Sequence, residues 1–104
     1  MLGSAYYIAP EVIQGTFNES CNIWSIGVIM YLMLIGSPPF DGDDDQSIFR
    51  SINQGKYDTS SYNYKNLSND AKDLISKLLE YNPNKRITAK NALNHPWFNS
   101  TGIN

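Results

Sequence analysis

The feature that most constrains the fold of this chain is an apolar run from Ile23 to Ile35, which only Ser25 and Gly27 interrupt. The run is shorter than the ~20 apolar residues that a membrane-spanning helix needs. Over residues 22–34 the apolar side chains fall on every face of a helix rather than on one stripe, which is typical of a helix enclosed by protein. The run therefore predicts a buried helix at the centre of the fold.

Two further helices are predicted from their boundary residues. Pro10 suits the first position of a short helical turn, and Gly15 suits its end. Ser68 is a suitable N-cap for a longer helix, and Asp70 lies in its first turn, where the helix dipole favours an anion. The i, i+3, i+4, i+7 pattern of that helix is carried by Ala71, Leu74, Ile75, Leu78 and Leu79.

The remaining segments predict two short helices and irregular connections. Residues 46–53 form a short amphipathic pattern, and Thr88 can cap a helix that runs through Leu93 and stops at Pro96. The chain before Pro10 is predicted to be extended, and residues 54–66 are predicted to be irregular. Because no strand-like alternation of useful length occurs, the predicted fold class is all-α, with about five helices including the central one.

Composition excludes several function classes. The 104 residues carry a net charge of −2, and the eight Lys and Arg residues are scattered, so neither nucleic acid nor an anionic membrane is an expected partner. Cys21 is the single cysteine and His95 the single histidine, so no internal disulfide or four-ligand zinc site can form. The cysteine usage favours a reducing, intracellular and cytoplasmic location.

Separate segments resemble, in the right order, one family: the eukaryotic protein kinases. Residues 3–11 read Gly-Ser-Ala-Tyr-Tyr-Ile-Ala-Pro-Glu and resemble the end of an activation segment that closes with A-P-E. Residues 22–28 and 36–40 resemble the central helix of the kinase large lobe and the loop that follows it. Residues 82–88 and the His-Pro-Trp-Phe sequence at 95–98 resemble the closing helices. Together these motifs span almost the whole chain.

Within this family, residues 6–8 and 81–86 most resemble the calcium-dependent and calmodulin-dependent serine/threonine kinases. The resemblance implies that residues 1–104 are a single partial domain, the C-terminal part of the large lobe. Residues 1–15 would be the end of the activation segment, and residues 16–104 the helical base. It also implies a longer parent enzyme that binds ATP and magnesium and phosphorylates serine or threonine in a protein substrate.

The resemblance assigns roles to individual residues. Glu11 and Arg86 match the two partners of a structural ion pair that joins the activation segment to the helical base. Ser4 matches a hydroxyl-bearing position that is usually threonine and that bridges towards the catalytic aspartate and lysine. Tyr7 and Ile8 match the wall of the pocket for the substrate residue after the phosphorylated one. These three residues are the expected substrate-binding residues of the chain.

The same resemblance places Asn22, Trp24, Gly27 and Trp97 in the structural core. Asn22 departs from the family, whose aspartate at this position accepts backbone N–H bonds from the catalytic loop. An amide has one acceptor oxygen and turns an NH2 group towards those donors, and an unsatisfied buried group costs about 1 to 3 kcal/mol. The departure puts the activity of the parent enzyme in question.

Two polar features, the acidic stretch and His95, each have a structural and a functional interpretation. The aspartates between residues 41 and 45 do not form an EF-hand loop, because Gln46 and Ile52 stand where glycine and glutamate are needed. They form either a patch that attracts basic substrates or a solvated loop that starts a helix, and the second is the simpler interpretation. Leu32 stands where some kinases that prefer basic substrates carry a glutamate that reads a substrate arginine. Its presence weakens a claim of such a preference for this chain. For His95, structural capping is favoured over catalysis.

The sequence contains no Gly-rich loop, strand lysine, H-R-D or D-F-G motif. We therefore expect no catalytic, cofactor-binding or metal-binding residue in this chain, and no phosphoryl transfer by the chain alone. Two functions remain: a fragment of a working kinase that needs the missing remainder of the kinase domain, and a truncated or degenerate module that binds other proteins. Met1 falls where the activation segment is expected to continue upstream, and hydrophobic surface that the remainder would cover favours association.

Overall fold

The computed structural model describes residues 3–100, and within them it is all-helical, which confirms the predicted fold class. A 3-10 turn comes first and is followed by seven α-helices, several of a single turn. The turn spans Ser4–Tyr7, and the helices are α1 (Pro10–Ile13), α2 (Ser20–Ile35), α3 (Asp45–Gln54), α4 (Tyr62–Lys65), α5 (Asn69–Leu78), α6 (Ala89–Leu93) and α7 (Pro96–Ser100).

Helix α2 lies at the centre and packs against the 3-10 turn, α4 and α5. Gly27 allows the close approach of α5, because a Cβ atom at this position would lie 2.8 Å from both Leu78 Cβ and Leu79 Cδ2. The residues that α2 buries are Cys21, Ile23, Trp24, Gly27, Val28, Tyr31 and Ile35. The helix is thus the scaffold on which the shorter elements pack.

The opposite side of α2 is more exposed than the sequence pattern predicts. Ile26, Ile29 and Met33 are 51%, 45% and 78% exposed. The expectation of a helix enclosed on every face is therefore met on one side only, because the elements between residues 3 and 100 pack mainly against the Trp24 and Tyr31 side. The uncovered side is apolar, and it borders a groove that α5 and α7 also line.

Aromatic packing holds the segments on both sides of α3 against α2. Trp24 stacks on Phe40 with ring centroids 5.2 Å apart, and Tyr57 meets Tyr31 edge-on at 5.6 Å. The Tyr31 hydroxyl donates a hydrogen bond of 2.6 Å to the Asp58 carbonyl oxygen. Burial, together with the nearby hydroxyls of Tyr64 and Tyr31, raises the pKa of Tyr57 to about 12.

One helix in this region differs from the prediction of an irregular segment. Helix α4 lies inside residues 54–66, where Ser61 is its N-cap and accepts a hydrogen bond of 3.2 Å from the Tyr64 amide. The sequence shows no apolar periodicity here, since the helix has one turn and its partly buried Tyr64 packs on the core around Tyr31. Tertiary packing therefore supports a helix that local pattern does not reveal.

The predicted caps form as short-range interactions. Ser68 Oγ accepts from the Ala71 amide at 3.1 Å, and Thr88 Oγ1 accepts from the Asn91 amide at 3.2 Å. Asp44 starts α3 in a capping box: its carboxylate accepts from the Ser47 amide at 2.8 Å, and its own amide donates to Ser47 Oγ at 3.1 Å. These bonds hold the pKa of Asp44 below its ordinary value and agree with the interpretation of the acidic stretch as a helix-starting loop.

Both ends of the described chain contain an additional short element. Residues Ser4–Tyr7 form a 3-10 turn where an extended chain is predicted, and its buried Ala5 packs on the core. Pro96 begins α7 rather than only ending α6, because proline lacks an N–H and suits the first helical position. The ring nitrogen Nδ1 of His95 accepts from the Trp97 amide at 3.0 Å, which is the structural capping expected of this histidine. No helix within residues 3–100 has the length and apolar character that a membrane span requires.

Candidate functional site

A buried polar site joins the start of α1 to the loop between α5 and α6. Arg86 Nη1 lies 2.6 Å from Glu11 Oε2, and Arg86 Nη2 lies 3.0 Å from Glu11 Oε1. The two side chains are almost completely buried, at 0% and 7% exposed. This is a bidentate carboxylate–guanidinium pair, and it brings together two residues that the sequence analysis paired.

The remaining hydrogens of the Arg86 guanidinium are donated to backbone carbonyl oxygens. Nε donates to Glu80 O at 2.8 Å, Nη1 to Ser20 O at 3.0 Å and Nη2 to Tyr81 O at 3.2 Å. With the two bonds to Glu11, all five N–H groups have an acceptor, which is the condition for a stable buried arginine. The one side chain therefore ties α1, the start of α2 and the loop before α6 together.

An aromatic ring completes the surroundings of the guanidinium. The Arg86 Cζ atom lies 5.1 Å from the ring centroid of Trp24, a distance at which the ring face attracts a cation. Trp24 is fully buried, and its Nε1 has no hydrogen-bond partner among residues 3–100. The indole contributes here through its ring surface.

Electrostatics at this site favour the ionised pair. Burial by itself raises the pKa of Glu11, but the hydrogen bond and positive charge of Arg86 outweigh it, so the pKa of Glu11 lies below its ordinary value. The carboxylate and the guanidinium are directed at each other, which leaves Glu11 without a free oxygen for proton transfer to a substrate. The site is therefore a structural connection.

The three candidate substrate residues lie at or beside the 3-10 turn. Ser4 is exposed at its start, and Tyr7 and Ile8 are half-buried at its end. Ser25 Oγ of α2 donates to the Tyr7 carbonyl oxygen at 2.7 Å, which fixes the turn on the central helix. Tyr7 and Ile8 line a cavity of about 190 Å³, whereas Ser4 does not contribute to its lining.

Asn22 lies on the wall of the same cavity, beside Cys21. Its side chain is exposed, and its Oδ1 is 3.9 Å from the Cys21 sulfur. The prediction of a core position for Asn22 is therefore wrong for this chain, because residues 3–100 place no element over the amide. Gly27 is buried, and Trp97 is half-buried and packs beside Leu74 and Leu78.

Some contributors to the site have no sequence signal. The carbonyl oxygens of Ser20, Glu80 and Tyr81 satisfy Arg86, and every residue type has such a carbonyl. Ser25 is one of many serines in the sequence, so nothing marks its hydroxyl as the one that contacts the turn. Close to the turn, burial and a hydrogen bond to Asp41 raise the pKa of Tyr6, so the acidic loop lies beside the candidate substrate surface.

No metal-binding cluster contributes to this surface. Between residues 3 and 100 there is no group of three or more His, Cys, Asp or Glu side chains that could hold a metal ion. What the described residues supply is a fixed backbone turn, a small cavity beside it and a buried ion pair beneath it.

Comparison with known proteins gives a consistent result. The chain matches the protein kinase domain family over residues 1–98. It is 48% identical over 96 residues, or 92% of the chain, to calcium-dependent protein kinase 4 of Plasmodium falciparum (isolate 3D7). The corresponding values are 46% over 103 residues and 99% of the chain for calcium-dependent protein kinase 29 of Arabidopsis thaliana, and 48% over 97 residues and 93% for calcium-dependent protein kinase 12 of that plant. The chain spans 18%, 19% and 20% of the lengths of these three relatives.

Proposed function

Because this chain belongs to the protein kinase family, we propose that it serves as the C-terminal part of the large lobe in a serine/threonine kinase of the calcium-dependent type. The observation that carries the proposal is the pairing of Glu11 with Arg86 across 75 positions. It joins the A-P-E segment to the closing helices, which are the two ends of the family match. The whole of residues 1–104 then forms one partial domain.

In this proposal the chain supplies binding and support rather than chemistry. Ser4, Tyr7 and Ile8 contribute to the platform for a protein substrate, and residues 16–104 form the base beneath it. ATP and magnesium are bound by the rest of the kinase domain, because the motifs that perform these tasks are absent from this sequence. The chain alone transfers no phosphate.

Two uncovered surfaces support a role for the rest of the domain as the partner of this chain. One is the cavity beside Asn22, where a polar side chain lies exposed at the edge of the candidate substrate surface. The other is an apolar groove of about 260 Å³, lined by α2, α5 and the closing helices. Its lining includes Ile29, Met33, Leu74, Leu78, Trp97 and Phe98. Removing such a surface from water is favourable by roughly 25 cal/mol per Å².

A truncated or degenerate kinase module that binds other proteins is the second candidate function. The apolar groove favours it, because apolar surface of this kind also suits a helix from an unrelated protein. The two candidates differ in one respect. Only a fragment of a working kinase completes an active enzyme when the rest of a kinase domain is supplied.

A chimera tests this difference. Residues 1–98 replace the matching segment of Arabidopsis calcium-dependent protein kinase 12, and phosphate transfer to a serine-containing peptide is measured with ATP, magnesium and calcium. The purified chain, assayed in parallel, is expected to be inactive. The chimera is expected to transfer phosphate, and Asn22→Asp in the chimera is expected to raise the rate, because a carboxylate accepts the backbone donors that an amide meets less well.

Binding of an ATP analogue to the chimera provides the folding control. A chimera that binds the analogue but transfers no phosphate with either Asn22 or its Asp variant would contradict the fragment proposal and favour the interaction module. Phosphate transfer by the purified chain would contradict the assignment of all chemistry to the rest of the domain.

A further inference from the structure

A second polar cluster, which we call the histidine clip, consists of His95, Asp73 and Lys77. His95 lies directly before α7 and is buried, with 4% of its side chain exposed. Its Nε2 is 2.7 Å from Asp73 Oδ2 in α5, and its Nδ1 accepts from the Trp97 amide at 3.0 Å. The ring therefore joins the first turn of α7 to α5.

These contacts define the protonation state of the ring. A nitrogen that accepts a hydrogen bond from an amide carries no proton, so the geometry requires the neutral tautomer with its proton on Nε2, donated to Asp73. A second proton would have to bind Nδ1, where it would face the Trp97 N–H. Protonation of His95 and capping of α7 are therefore mutually exclusive.

The charges around the ring come from α5 and from the loop before α6. Lys77 Nζ lies 2.9 Å from Asp73 Oδ2, the same oxygen that His95 contacts. The hydrogen bonds from Lys77 and then from His95 hold the pKa of Asp73 below its ordinary value. Lys85 lines the cavity next to His95. One carboxylate is thus shared by a lysine and the histidine, and a second lysine is close by.

The helix that depends on this clip is short and carries two large side chains. Helix α7 has five residues, Pro96–Ser100, and the His95 ring caps its first turn through the Trp97 amide. Trp97 and Phe98 pack against each other at 5.1 Å and line the apolar groove together with Leu74 and Leu78. Loss of the cap therefore bears on the closure of one end of the groove.

We propose that the histidine clip is an acid-sensitive latch: protonation of His95 releases the first turn of α7 and opens the end of the apolar groove that Trp97 and Phe98 border. The inference depends on the residues of the clip and not on the proposed kinase function.

Amide hydrogen exchange and ¹⁵N NMR of the 104-residue chain at pH 7.5 and pH 5.5 test the latch. At pH 7.5 the ring nitrogens are expected to show the Nε2-protonated tautomer. At pH 5.5 the protection of the Trp97 amide, corrected for the intrinsic pH dependence of exchange, is expected to fall. If opening is coupled to the binding of one proton, the protection of the Trp97 amide can fall by at most about tenfold per pH unit. The indole N–H of the fully buried Trp24 serves as the internal reference for hydrogen exchange.

His95→Asn is the matched control, because asparagine caps a helix through its side-chain oxygen and does not titrate in this range. We expect this variant to retain protection of the Trp97 amide at both pH values. His95→Ser supplies the same kind of acceptor with a smaller side chain and replaces the control if His95→Asn does not fold. Equal protection at the two pH values in the unsubstituted chain would overturn the proposal, as would the same acid-induced loss in the control variants.

Discussion

The two sides of α2 have the same apolar character but different surroundings. On one side, Trp24 and Tyr31 are buried among aromatic rings, and the Arg86 guanidinium lies over the indole. On the other, Ile29 and Met33 remain exposed beside a groove. An apolar pattern therefore indicates which surfaces of a helix can be buried, whereas the packing of the other elements determines which of them are covered.

The largest effect is expected at the buried side, from Arg86→Met. This substitution leaves the Glu11 carboxylate buried without its partner, which typically costs about 3 to 5 kcal/mol of stability. Urea unfolding measures the loss. Lys77→Met is the matched control, because the Lys77–Asp73 pair is about half exposed at a distance of 2.9 Å and an exposed pair contributes about 1 kcal/mol or less.

The same pair has a pH signature. Since the folded-state pKa of Glu11 is lowered, its contribution is present above the ordinary pKa of 4.5 and is lost as the pH falls through the lower folded-state value. Glu11→Gln is expected to remove this part of the acid sensitivity. Equal losses from Arg86→Met and Lys77→Met would show that the burial of the ion pair has no energetic consequence.

A direct comparison of the two sides uses the same residue type twice. Ile35→Ala removes a buried side chain from the core and is expected to lower the stability by about 2 to 5 kcal/mol. Ile29 is 45% exposed, so Ile29→Ala is expected to lower it by about 1 kcal/mol or less. Chemical denaturation of the 104-residue chain measures both. In the kinase chimera, the two costs are expected to converge if the added domain covers Ile29. A persistent difference would contradict that coverage.

A smaller effect is expected where α2 meets α5. Gly27→Ala places a methyl group 2.8 Å from Leu78 Cβ and Leu79 Cδ2, and such overpacking costs about 1 to 3 kcal/mol despite the better helix propensity of alanine. Thermal unfolding measures the change. The double variant with Leu79→Ala is expected to lose less stability than the sum of the single variants, because it vacates the space that the new methyl group needs. A stabilising Gly27→Ala would show that the two helices separate without cost.

Local chemistry explains why the caps could be predicted and α4 could not. Ser68 and Thr88 each cap a helix through a residue three positions away, so the relevant pattern is contiguous in the sequence. Helix α4 has a single turn, and the contacts of Tyr64 with Tyr31 and Tyr57 support it. Because these contacts join residues from different parts of the sequence, they leave no local sequence pattern.

The candidate site divides in the same way. Resemblance to a family paired Glu11 with Arg86, although spacing alone contains no reason for residues 75 positions apart to meet. The three carbonyl oxygens that complete the guanidinium could not be predicted, because backbone acceptors are independent of residue type. The exposure of Asn22 could not be predicted either, since it depends on what lies above the residue rather than on the residue itself.

Helical class, the Ser68 and Thr88 caps and the central place of α2 follow from the sequence alone, because they depend on apolar periodicity and on hydrogen bonds between near neighbours. Tertiary structure decided the rest: which side of α2 is covered, how Arg86 satisfies all five of its N–H groups and which tautomer His95 adopts. The physical reason is that burial and long-range hydrogen bonds belong to pairs of residues that only the folded chain brings together.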